Sequence, residues 1–214
     1  MRKKILFVVP PCIALSELNC DEDKIFSSKI RNEIPLGVLS LATYIEKVTD
    51  ATVTVLDLNL KFYELVNNGK VDEVNLPEIY IRSLIYQIQE ECFDFCGISS
   101  IFTPTFGYIK IISQIIREIF PNAVIVAGGG VPSNLMKEVF LSAPCVDFIS
   151  YGEGEIAISE FICCENEKKY LESSVSLVTR EKLERGFRFS FEHIEDLDEI
   201  PALDFSLIEL EKYS

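Results

Sequence analysis

A doubly wound α/β fold, built on a five-stranded parallel sheet in the order 2-1-3-4-5 with a small C-terminal extension, is predicted by three observations. Short apolar runs alternate along the chain with segments of helical period. Within the runs nearly every residue is apolar, as in strands covered by helices on both faces, rather than every second one. Most runs close on Pro, Gly or Ser, which turn the chain toward the next helix, and a regular strand-helix alternation implies right-handed crossovers on both sides of one sheet.

The first run, Lys4 to Val9, stops at Pro10-Pro11, and a polar loop follows from Cys12 to Glu33. Pro35 opens a helix in the first-turn position that tolerates its missing N–H, with Leu36, Leu39, Ala42 or Thr43, and Ile45 on one face as far as Lys47. Val53 to Leu56 is the second strand. Residues 59 to 91 make a long crossover in two helical pieces, the later one marked by Ile81, Leu84, Ile85 and Ile88 after a break at Gly69 to Pro77. Phe95 to Ser99 is the third strand, and Ile109, Ile112, Ile115, Ile116 and Ile119 line a helix that ends at Pro121-Asn122. Ala123 to Ala127 is the fourth strand, stopped by Gly128-Gly129-Gly130, with a helix from Pro132-Ser133 to Leu141. Val146 to Ser150 is the fifth, and a helix through Phe161 and Ile162 follows Gly152-Glu153-Gly154-Glu155.

After Cys164 the pattern changes to a charged stretch, a short strand at Val175 to Val178 and an extended run at Phe187 to Phe191. Residues 201–214 read as an exit linker, because Leu203, Phe205, Leu207, Ile208 and Leu210 have little to bury against. There is no internal repeat.

A chain of 214 residues with 48% hydrophobic content supports one good core and an appendage. Its 20 basic and 34 acidic residues give a formal charge of -14, which repels both a phosphate backbone and an anionic bilayer face, so nucleic acid and membrane surfaces are poor partners. The longest apolar runs fall far short of the roughly 20 residues that cross a bilayer, and no membrane span is expected. The segment from Met1 to Val9 meets Pro10-Pro11 without a small-residue cleavage site, which makes it a strand rather than a signal peptide. Seven scattered cysteines fit the reduced thiols of a cytoplasmic protein.

Several chemistries lack their residues. Cys92 and Cys96 have the first spacing of an iron-sulfur CxxxCxxC motif, but Ser99 stands third and Cys96 lies inside a strand. No zinc-type spacing surrounds Cys145, Cys163 or Cys164, and no metal ligand or catalytic residue is assigned. Pro10-Pro11 stands where a dinucleotide fold needs GxGxxG, and the phosphate loop, the GxSxG elbow and a His pair are all absent. The sole histidine, His193, lies in a late acidic segment. No carboxylate pair follows the first strand, which tells against a phospho-acceptor receiver domain.

Open α/β sheets bind ligands beyond the carboxyl ends of their strands, where strand order reverses. The candidate residues on those loops are Pro11 and Cys12; Ser99, Ser100, Phe102 and Thr103; Gly128, Gly129 and Gly130; and Gly152, Glu153 and Gly154. The glycine triplet is either a tight turn or a place where backbone approaches a ligand closely. Gly152 to Glu155 is either a turn with acidic residues at the positive end of a helix or a ligand loop.

Six segments then converge on a family. Residues 34–46, Ile-Pro-Leu-Gly-Val-Leu-Ser-Leu-Ala-Thr-Tyr-Ile-Glu, resemble a PPLGLxYLAAYLE helix, and Val53 to Asp57 resembles its VxVLD strand. Gly97 to Ser100, Ala127 to Ser133, Val146 to Phe148 with Gly152 to Glu155, and Ile194 to Pro201 follow in the family's order. Together they resemble the amino-terminal cobalamin-binding region of B12-dependent radical SAM enzymes, including relatives of the anaerobic magnesium-protoporphyrin ester cyclase.

The resemblance implies a flavodoxin-like, Rossmann-like cobalamin domain over residues 1–165, with 166–214 as extension and linker toward a radical SAM barrel absent from this chain. It implies cobalamin as cofactor and partner, with Gly128 to Gly130 allowing close approach of the nucleotide tail and Ser99 and Ser100 offering hydrogen bonds. The DxHxxG loop that supplies a lower cobalt ligand elsewhere is missing after the first strand, so cobalamin is expected without a protein histidine on cobalt. SAM and a [4Fe-4S] cluster belong only to the absent barrel, so this chain alone is expected to run no radical chemistry and to be the front end of a longer enzyme. Two other readings stand beside it. One is a non-enzymatic flavodoxin-like module that has lost cobalamin, favoured by the missing histidine and the polar loop Ser16 to Asp23; the other is a binder of flavin or sugar nucleotide.

Overall fold

Strands and helices alternate in a computed structural model that describes residues 2–18, 32–70, 76–192 and 194–213 except 197 and 199. In chain order they are β1 (Lys4–Val9), α1 (Leu36–Val48), β2 (Thr52–Asp57), α2 (Leu58–Asn67), α3 (Pro77–Gln87), β3 (Phe95–Ser99), α4 (Phe106–Ile119) and β4 (Val124–Gly128). Then follow α5 (Gly130–Asn134), α6 (Met136–Ser142), β5 (Phe148–Ser150), α7 (Glu155–Cys163), α8 (Glu167–Ser173), β6 (Leu177–Val178) and α9 (Arg180–Glu184).

The sheet order is β2-β1-β3-β4-β5-β6, so the predicted order of the first five strands holds, but the sheet has six strands rather than five. The sixth is the short run read from the sequence near residues 175–178, and it pairs antiparallel with β5 through Ile149 opposite Val178 and Ser150 opposite Leu177. Its Leu177 is fully buried beside Phe148, which is why two residues suffice to close the edge of the sheet. The run at Phe187 to Phe191 forms no strand; Ser190 N–H donates to Val175 O, and the Phe191 ring stacks on Tyr151 with centroids 4.6 Å apart.

Alternation along each strand sorts the core into two layers. Leu6, Val8, Cys96, Ile98, Ile125, Ala127 and Ile149 face α2, α3, α4 and α6. Ile5, Phe7, Val53, Phe95, Val126 and Phe148 face α1 and α7, where Ala42, Ile45, Ile158 and Phe161 meet them. Burial on both faces is the physical reason for the continuous apolar runs. At the amino ends of the strands, aspartates satisfy the backbone: Asp94 Oδ2 accepts from Lys4 N–H, and Asp147 Oδ2 accepts from Ile125 N–H and pairs with Arg117 at 2.8 Å.

Local chemistry shifts some helix bounds. Asp57 caps α2 by accepting from Leu60 N–H at 3.0 Å, so that helix starts directly after β2. The helix expected from Pro132 begins earlier, at Gly130, and breaks at Leu135 before resuming as α6. Beyond Cys164, α8 and α9 flank β6, and the ammonium of Lys182, on α9, is caged by Leu171 O, Ser174 O and Leu177 O. The terminal segment is docked rather than free. Asp204 N–H donates to Thr43 Oγ1, Leu207 packs against the α1 layer, and Lys61 pairs with Glu209 at 2.7 Å.

Candidate functional site

The chain leaves β1 for β2 on one side and comes back through α3 to β3 on the other, so the loops at the carboxyl ends of β1 and β3 diverge. Two clefts open there. The wider, about 500 Å³, lies between the exit of β1 at Pro10 and Cys12, the start of α1 at Pro35 and Leu36, and the loop after β3 at Ile101 and Phe102. The narrower, about 220 Å³, runs between the sheet residues Phe7, Gly97 and Val126 and the helix residues Val38, Leu41 and Ile158, and Gly128, Ser150 and Gly152 border it at the strand ends. Gly37, Val38, Ser99 and Ile101 line both, so the two are continuous.

The glycines around the narrow slot do different things. A Cβ on Gly97 would stand 2.4 Å from the Phe7 ring, so the missing side chain is what lets that ring lie against the sheet. Gly129 has φ +100°, and a Cβ there would meet Ser100 O at 2.7 Å. A turn demands this glycine. Gly128 differs, since the nearest heavy atom to its Cβ would be Ser150 Cβ at 3.7 Å, ordinary contact distance. Gly152, with φ +82°, lies under Phe191, whose ring a Cβ would strike at 2.3 Å.

Ser100 holds the loops together from behind. Its N–H donates to Gly128 O at 2.8 Å, its carbonyl accepts from Val131 N–H at 3.0 Å, and its hydroxyl shares a 2.5 Å hydrogen bond with Thr105. It is fully buried. Across the slot, Ser40 Oγ donates to Glu155 Oε1 at 3.0 Å, tying α1 to the start of α7.

The loop after β1 is pinned by Ile13 and Leu18, both buried in the α4 layer, and by Cys12 N–H donating to Asn59 Oδ1 at 2.9 Å. Burial, with the charges of Asp57 and Glu33 nearby, pushes the Cys12 thiol up to about 11. Cys12 is therefore a neutral thiol at physiological pH. Burial pushes Cys96 up to about 12, and Cys92 is exposed, so the CxxxC pair does not share a site.

Of the residues expected from the sequence, Cys12, Ser99 and Phe102 line the wide cleft, and Ser99, Gly128, Gly129, Gly152, Glu153 and Gly154 line the slot. Pro11, Ser100, Thr103 and Gly130 line neither. Pro11 and Ser100 are buried, Thr103 starts a 3-10 turn, and a Cβ on Gly130 would stand 3.1 Å from Ile101 O. His193 and residues 19–23 of the polar loop lie outside the described residues. Among the described residues no group of three His, Cys, Asp or Glu side chains could hold a metal ion, and no helix is long and apolar enough to cross a membrane. Sequence reasoning missed Phe7, Val38, Leu41, Ile158 and Ser150. Ser150 carried a signal, a hydroxyl ending an otherwise apolar strand.

Residues 31–162 match the model of the B12 binding domain. That is more than half of the chain, and the chain belongs to this family. It is 29% identical over 99 residues to the anaerobic magnesium-protoporphyrin IX monomethyl ester cyclase of Synechocystis, a match covering 46% of this chain and 20% of that protein. The chain thus spans about a fifth of the length of the curated relative it matches. Among solved structures, a protein of Burkholderia pseudomallei described as pilus assembly-related aligns over 79% of this chain and 90% of its own, at 10% identity and a TM-score of 0.39.

Proposed function

We propose that this chain is the cobalamin-binding front domain of a B12-dependent radical SAM enzyme of the methyl-transferring or ring-forming kind. The observation that carries the reading is the continuous pair of clefts at the strand-order reversal, a narrow apolar slot opening into a wider hollow. Cobalamin has the matching parts, a broad corrin and a tail that ends in a flat, largely apolar heterocycle. The residues present fit it. Val38, Leu41, Val126 and Ile158 offer the slot apolar walls, and at Gly128 the absent side chain leaves room that no protein atom fills.

When bound, cobalamin supplies a cobalt centre able to carry a methyl group or join radical chemistry. The chain's own contribution is to hold and orient. The Ser100 hydrogen bonds fix the β3 and β4 loops against each other, Ser40 and Glu155 keep α1 and α7 in place, and the neutral Cys12 thiol lines the wide cleft without offering a thiolate. The radical step belongs to a (β/α) barrel with a CxxxCxxC motif in the same polypeptide, a reading supported by the family resemblance. A native reading frame that stops directly after Ser214 overturns that part.

The competing reading is a flavodoxin-like module that no longer holds cobalamin. Titration of the chain with hydroxocobalamin, followed by absorption and by co-migration through gel filtration, separates the two. Saturable one-to-one binding is expected. Binding of flavin mononucleotide in preference to cobalamin, or of neither, overturns the proposal.

A further inference from the structure

Resting on the cobalamin reading, we infer that Ser150 makes the slot selective for corrinoids whose tail ends in a heterocycle with a free ring nitrogen, to which its hydroxyl donates a hydrogen bond. Ser150 is 3% exposed, and its Oγ is buried with no hydrogen-bond partner among the described residues. Its direction follows from the strand. Phe148, two residues earlier, packs into the α1 and α7 layer, so Ser150 faces the same side, the side on which the slot runs. In register it stands opposite Gly128, the glycine that leaves space at the slot.

A buried hydroxyl without a partner costs free energy that an apolar residue in the same place would not. Of the residues lining the slot, Phe7, Val126 and Ile158 offer no hydrogen-bonding side chain, Glu155 is engaged by Ser40, and Ser99 and Glu153 are the other polar side chains along it. The complement of such a slot is a flat ring, apolar over its faces, with one acceptor at its edge. A ring nitrogen of a benzimidazole or purine is that acceptor, whereas a phenolic tail has none.

The test compares two probes on the whole chain by isothermal titration: cobalamin, with its benzimidazole tail, and a cobamide with a p-cresol tail. The parent is expected to bind cobalamin at least about tenfold more tightly, and Ser150→Ala to shrink that preference to within about threefold, chiefly by weakening cobalamin. Without ligand, Ser150→Ala is expected to raise the thermal unfolding midpoint, because it removes an unpaired buried hydroxyl. Equal binding of the two probes by the parent, or the parent's full discrimination retained in Ser150→Ala, overturns the inference. So does a lowered midpoint in the ligand-free variant, which would mean that the hydroxyl is already partnered. If the parent binds neither probe, the cobalamin reading itself falls, an outcome distinct from the others.

Discussion

Tyr213 Oη donates to Asp57 Oδ2 at 2.7 Å, joining the last turn of the chain to the carboxyl end of β2 across 156 residues of sequence. The same carboxylate caps α2 through Leu60 N–H. Burial nevertheless dominates and raises the Asp57 pKa, against the opposing pull of these two hydrogen bonds and of Lys61.

A carboxyl that holds its proton more tightly when folded contributes stability below the ordinary carboxylate range and loses it as pH rises through the raised value. Asp57→Asn removes that titration while keeping an acceptor. Between pH 4 and pH 7 the variant is expected to gain in stability relative to the parent, measured by urea unfolding at each pH. A difference independent of pH, or one that moves the other way, refutes this.

The glycine triplet separates turn from ligand contact residue by residue. Gly129→Val forces a β-branched residue to positive φ against Ser100 O, and is expected to lose about 2 kcal/mol or more of stability. Gly128→Val meets no such obstacle in the protein, and is expected to stay within about 1 kcal/mol of the parent while weakening cobalamin binding at least about tenfold. Unfolding and titration on the same preparations check both. Parental affinity in Gly128→Val would remove the strand-end glycine from the tail site.

Lys182 is buried, donating at 2.8 Å to Leu171 O and at 2.9 Å to Leu177 O, with its ammonium 4.5 Å from the centre of the Phe187 ring. Lys182→Met keeps much of the volume but orphans those carbonyls, and a loss of about 2–4 kcal/mol is expected. Because β6 is held by the same cage, the loss should appear in one cooperative transition. A separate early transition would show that the region after α7 unfolds independently of the sheet.

With His193 the single histidine of the sequence and a tail base held in the slot, the cob(II)alamin form is expected to show no nitrogen superhyperfine splitting in electron paramagnetic resonance. Splitting that vanishes in His193→Ala would identify a histidine ligand after all.

Much of the fold was legible because burial on both faces leaves its mark on every residue of a strand. From Ile5 to Val9 and from Phe95 to Ile98 the chain is apolar throughout, and the sheet places the two runs side by side, with Phe7 opposite Gly97. The short β6 was readable as a strand but not as a sheet neighbour, since two residues carry no period and its antiparallel pairing depends on α8 turning the chain back. The contacts of the terminal segment were illegible for a related reason. Its partners, Thr43, Asp57 and Lys61, lie more than a hundred residues away, and their pairing with it leaves no local pattern.

By itself the sequence determined the strand-helix alternation, the loops at the carboxyl ends and the family likeness, because these follow from local periodicity and from motifs within a few residues. Tertiary structure decided which loop residues line the clefts. Ser99 and Ser100 are neighbours of the same chemistry, yet alternation at the end of β3 sends one to the clefts and the other into hydrogen bonds with Gly128, Val131 and Thr105. Only the packing of α1 and α7 over the sheet turned Phe7, Val38 and Ile158 into walls and left Ser150 beside a slot with its hydroxyl buried and unpartnered among the described residues. The physical reason is that a cleft is bounded by atoms distant in sequence, and no local pattern records what stands opposite.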